Sequence, residues 1–149
     1  MPKRSQVSVE YMALVGLSLA AFFVIWLYVN SSNTAVQQDL KVGFAKQSVT
    51  RLADAANLVF VQGPPAKIFV EISNPDGVVL AKPSSNATCS STEILLVVSA
   101  LEGRTSEVYA PVSANVSGDL SFLVGNPGLR RVQVEAVTLN GQPCVMMSG

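Results

Sequence analysis

Met12-Ala-Leu-Val-Gly-Leu-Ser-Leu-Ala-Ala-Phe-Phe-Val-Ile-Trp-Leu-Tyr-Val29 is a run of 18 residues with no charged side chain. As an α-helix it rises about 27 Å, close to the ~30 Å hydrocarbon core of a bilayer. A backbone in lipid has no water to bond, so it must satisfy its own amides and carbonyls, and a helix does so. Trp26 and Tyr28 stand at the far end of the run, where aromatic rings favour the headgroup region, and Lys3 and Arg4 precede it. Basic residues stay on the cytoplasmic side, so the pattern predicts the N-terminus inside and the rest of the chain outside. The plain readings are a secretory signal peptide, a membrane anchor and a buried core helix. A signal peptide ends in a small-residue cleavage site, and Asn30-Ser31-Ser32-Asn33 does not supply one.

Composition narrows the function. Of 149 residues, 49% are hydrophobic and 13% are charged, about half the usual charge of a soluble domain. Ten basic and ten acidic residues cancel, so no global field attracts nucleic acid. The chain has no histidine, which removes Ser-His-Asp and Cys-His nucleophile systems and His-ligated metals. Two cysteines are too few for a Cys-only zinc site or an iron–sulfur cluster. No glycine-rich phosphate loop of the G-x-x-x-x-G-K-[ST] or G-x-G-x-x-G kind occurs. These absences argue against an enzyme, and no cofactor is expected.

Beyond the apolar run, Val36, Leu40 and Phe44 recur at i+4. Ala45, Val49, Leu52, Ala53, Ala56, Val59 and Phe60 then carry an apolar stripe between polar residues. Gly63-Pro64-Pro65 is a strong helix stop. A helix from Gln6 to Gln62 would span about 85 Å. From Ala66 the period changes to two: Ile68, Val70 and Ile72 alternate with Phe69 and Glu71. Further strands are predicted over 77–82, 93–100, 105–112, 119–124, 129–139 and 143–147. Asn74-Pro75-Asp76-Gly77 and Asn126-Pro127-Gly128 mark turns, and Asn140-Gly141 is a hairpin signal. The expected fold class is α+β: a long N-terminal hydrophobic α-helix, then a small antiparallel β-sandwich over 63–149.

The segment before the apolar run carries the chemistry. Ser5-Gln6-Val7-Ser8-Val9-Glu10-Tyr11 places a carboxylate two residues ahead of a membrane-length helix. An ionisable group at that depth is costly and usually functional, although an acid at a helix N-terminus also favours the dipole. Gln6, Ser8, Glu10 and Tyr11 match the Gln-x-Ser-x-Glu-Tyr pattern of the class III signal peptide, and the chain resembles archaeal type IV pilin-like proteins. The resemblance implies a leader of residues 1–5, cut by a membrane prepilin peptidase between Ser5 and Gln6, with the apolar helix over 6–62 retained. The helix would lie in the cytoplasmic membrane before assembly and in a filament core afterwards, with the β domain outside the cell. Glu10 would then neutralise the new N-terminal amine of Gln6, in its own chain or a neighbour. Gly16, Ser18, Ala20 and Ala21 are small enough to let helices approach closely.

The resemblance therefore implies a homopolymeric surface filament, used in adhesion and built by pilus assembly machinery. The alternatives are a membrane-anchored, non-polymerising surface interaction protein, a minor pilin or an archaellin. Cys89 and Cys144 both lie in the outer domain, where a disulfide is expected to contribute roughly 2–4 kcal/mol; the other reading is two buried thiols. Asn30, Asn86 and Asn115 each open an N-glycosylation sequon, the last two in predicted loops. Arg130-Arg131 reads as a solvated strand end, and Glu102, Glu107 and Asp119 as scattered acids.

Overall fold

The structure is a computed structural model that describes residues 3–83, 86–100 and 103–149. Helix α1 covers Lys3–Gln62. It is followed by β1 (Lys67–Asn74), β2 (Val78–Lys82), β3 (Asn86–Ser99), β4 (Thr105–Gly118), a 3-10 turn (Ser121–Leu123), β5 (Gly128–Leu139) and β6 (Gln142–Ser148). The chain divides into two units, Met1–Gln37 and Gln38–Gly149. The described part of the first is helical throughout. The second holds the rest of α1 and every strand.

In the second unit the stripe read from the sequence is the stripe that is buried. Ala45, Val49, Leu52, Ala53, Ala56 and Val59 lie in the core with Ile72, Ile94, Leu96, Val132 and Val134 from the strands. Full burial of a side chain such as Leu52 stabilises by about 1.5–3 kcal/mol. Leu40 and Phe44 continue the apolar pattern in sequence but are exposed, as is Val36 in the first unit. Gly63 ends α1: its φ of +70° suits glycine, and its N–H bonds to the Val59 carbonyl at 3.1 Å.

The α+β arrangement is as expected, but the sandwich is corrected to one sheet. The strands form a single six-stranded sheet in the order β1-β5-β6-β4-β3-β2. All pairings are antiparallel except β4 with β6, which is parallel. A second sheet has no role here, because α1 already covers the apolar face and completes the second layer. Asp119–Val124 is likewise not a strand. Ser121–Leu123 is a 3-10 turn that buries Leu120 and Leu123, three residues apart, the spacing of a 3-10 helix. The strands at 93–100 and 105–112 run longer than predicted, to Asn86–Ser99 and Thr105–Gly118.

Several turns form as their residues dictate. Asn140 and Gly141 take φ of 52° and 80°, the type I′ pair that joins β5 to β6. Gly118 has φ +128°, and a Cβ there would collide with the Met147 backbone. Gly118 is the residue of β4 that stands opposite Met147 of β6. Cys89 and Cys144 are joined in a disulfide with Cα atoms 6.0 Å apart. Their strands are not neighbours, since β4 lies between them. Between the pairs Asn86↔Gly118 and Ser91↔Val116, β3 spends five residues where β4 spends two. The surplus is a bulge, and it carries Cys89 across β4 towards β6.

Candidate functional site

The N-terminal unit carries the sequence motif. Helix α1 begins at Lys3, so the Ser5–Gln6 bond lies in its first turn, where backbone N–H groups have no intrahelical partner. Glu10 follows Gln6 by one turn and is exposed, as is Tyr11. From Val9 to Val29 the large apolar side chains Tyr11, Met12, Leu14, Leu17, Phe22 and Trp26 are all more than half exposed. Among the described residues, one helix is long and apolar enough to cross a membrane, and this is its apolar stretch. Phe23 and Trp26 stack with centroids 6.3 Å apart.

The predicted packing residues divide into two sets. Gly16 and Ala20, four residues apart, lie on one face of the helix. Ser18 and Ala21, three apart, lie on another. A Cβ at Gly16 meets nothing within 4 Å, so no contact within the chain requires glycine there. Ser18 Oγ donates to the Leu14 carbonyl at 2.9 Å. Its hydroxyl is thus satisfied within the helix and adds no unpaired polar group to an apolar surface.

The sequons do not lie in loops. Asn30 is an exposed residue of α1. Asn86 opens β3, and Asn115 is half-buried within β4, with Val116 and Ser117 of its sequon buried. The strand alternation of Val112, Ala114 and Val116 continues through that sequon and was the signal that places it in the sheet.

Glu102 lies outside the described residues. Asp119 is exposed and stands two residues before the 3-10 turn's first residue, Ser121. Its Oδ1 accepts from the Ser121 N–H at 2.8 Å, and the Ser121 hydroxyl and backbone N–H hold its carboxyl below the usual aspartate value. Among the described residues no group of three His, Cys, Asp or Glu could hold a metal ion.

A second cluster escaped the sequence reading. On the outer face of the sheet, Lys67, Phe69 and Glu71 of β1 stand opposite Glu135, Gln133 and Arg131 of β5. Lys67 pairs with Glu135 at 3.8 Å and Arg131 with Glu71 at 3.2 Å. Both cations also stand over the Phe69 ring, 5.7 and 5.8 Å from its centroid. Arg131 is a solvated side chain near the start of β5, as the sequence implies, and it also pairs with Glu71. Only the strand register reveals the cluster, because its ion-paired partners are sixty or more residues apart in sequence. No family model, curated protein or solved structure matches this chain.

Proposed function

We propose that this chain is the structural subunit of an extracellular type IV pilus-like filament of the archaeal kind. A prepilin peptidase cuts between Ser5 and Gln6, and α1 holds the precursor in the cytoplasmic membrane with the sheet-bearing unit outside. Apolar helices then leave the lipid and pack against one another. Apolar surface is buried before and after, so the gain comes from close packing and from specific partners. Glu10 supplies such a partner by neutralising the Gln6 amine. The observation that carries the reading is the Gln6-x-Ser8-x-Glu10-Tyr11 motif standing directly ahead of a helix whose apolar stretch is exposed along its length. An unneeded glycine at position 16 and a disulfide-linked outer unit support it.

The test is mass spectrometry of surface protein together with electron microscopy of the surface fraction. A chain beginning at Gln6, recovered in filaments, is the expected result. A native chain that keeps residues 1–5, or one cut after Val29, overturns the processing step. A processed chain that stays dispersed in the membrane overturns polymerisation and identifies an anchored surface protein.

A further inference from the structure

The two edges of the sheet are treated differently. Strand β2 is covered by the segment around the 3-10 turn: Gly125 N–H bonds to the Val78 carbonyl at 3.3 Å, and Leu120 N–H to the Pro83 carbonyl at 3.1 Å. Among the described residues strand β1 pairs with β5 alone. The Ala136 N–H bonds to the Ala66 carbonyl, and the β1–β5 register is unbroken. Backbone groups in a strand alternate in direction, so those of Lys67, Phe69, Glu71 and Ser73 point away from β5. Among the described residues only the Ser73 carbonyl of this set is answered, by the Ser48 hydroxyl at 2.7 Å. Lys67, Phe69 and Glu71 are exposed. An edge of this kind is a template for another strand.

The edge sequence Lys67-Ile68-Phe69-Val70-Glu71 reads as its own complement. We infer that β1 pairs antiparallel with β1 of a second copy of this chain, about a two-fold axis at Phe69. In that register Lys67 faces Glu71 of the second copy, Phe69 faces Phe69, and each outward N–H and C=O of the three residues finds a partner. The charges extend the match. A row across the joined sheets runs Glu135, Lys67, then Glu71 and Arg131 of the second copy, alternating in sign at each strand. Opposite charges facing across strands stabilise, and like charges destabilise.

Neighbouring registers fail. A two-residue shift one way brings in Pro65, which has no N–H to give. A shift the other way sets Lys67 against Ser73, whose carbonyl is already taken, and Glu71 against Phe69. A one-residue slip turns the charged face of one copy to the helix-covered face of the other. The pairing needs only the fold of residues 38–149, so it does not rest on the filament reading.

The experiment uses the full chain in detergent. Phe69→Cys is treated with a short bis-maleimide, with Tyr109→Cys, an exposed position on β4 away from the edge, as the control. A covalent dimer through position 69 and none through 109 is expected. Adding Lys67→Glu or Glu71→Lys to the Phe69→Cys chain sets like charges opposite at both ends, and the dimer falls about tenfold or more. Mixing those two variants restores it, because both pairs that face each other across the two-fold, 67 with 71 and 71 with 67, are again of opposite sign. Sedimentation of the same charge variants with native Phe69 follows the same order. Absence of the 69–69 dimer, a yield indifferent to charge reversal, or a mixture that fails to recover overturns the inference.

Discussion

Glu10 is the only acid before Asp39, and no charge of either sign stands between them. If it served only the helix dipole, Glu10→Gln would cost about 1 kcal/mol or less. If it pairs with the Gln6 amine in an apolar core, loss of the partner costs about 3–5 kcal/mol at every subunit. The expected outcome of Glu10→Gln is therefore membrane-bound subunit at normal yield without filaments, checked by immunoblot and electron microscopy. Gly118 answers to a different demand. Ala there adopts φ +128° only with strain, about 1–3 kcal/mol before the collision with Met147 is counted. Gly118→Ala should lower the denaturation midpoint, whereas Gly16→Ala should not. Asp119 makes a pH prediction. Its carboxyl titrates lower in the folded chain than in the unfolded one, so its contribution is present above the ordinary value of 3.8 and fades as pH falls through the folded value. Asp119→Asn should flatten the acid limb of the stability curve below that pH, read by circular dichroism.

At the scale of elements, the disulfide ties a bulged segment of β3 to β6 over a separation of 55 residues. Replacing Cys89 and Cys144 together by serine should cost about 2–4 kcal/mol, measured by denaturant titration against the oxidised chain. What the sequence revealed at this scale follows from periodicity. The helical stripe from Ala45 to Val59 and the alternation of Ile68, Val70 and Ile72 are local patterns, and both were legible. So was the Asn140-Gly141 hairpin, because only residues tolerant of positive φ fit it. The start of β3 was hidden because Asn86 to Thr92 is mostly polar and small, and its pairing rests on β4 rather than on its own pattern. Asp119–Val124 was misread because Leu120 and Leu123 fit a three-residue period as well as a broken alternation. The Gln6 to Tyr11 motif was legible as a string. The Phe69 cluster was not, since it is created by register between distant strands.

At the scale of the molecule, α1 belongs to two environments. Up to Val29 its apolar side chains are exposed, while from Ala45 to Val59 it supplies the inner face of the sheet-bearing unit. A domain boundary at Gly63, where the helix stops, is therefore a poor place to cut. A fragment beginning at Gly63 strips the sheet of its second layer and should aggregate. One beginning at Gln38 keeps that layer and should stay soluble and cooperative in thermal unfolding, measured by light scattering and calorimetry. The order of the strands adds a temporal constraint. Strand β6 is the last of the described strands, yet it lies in the middle of the sheet, between β5 and β4. Until it arrives, β2, β3 and β4 form one leaf and β1 with β5 another, and no ladder joins them. A chain made from its N-terminus therefore holds an open seam until β6 slots in. Because Cys144 rides on that strand, the covalent latch to Cys89 closes only once the seam has been filled.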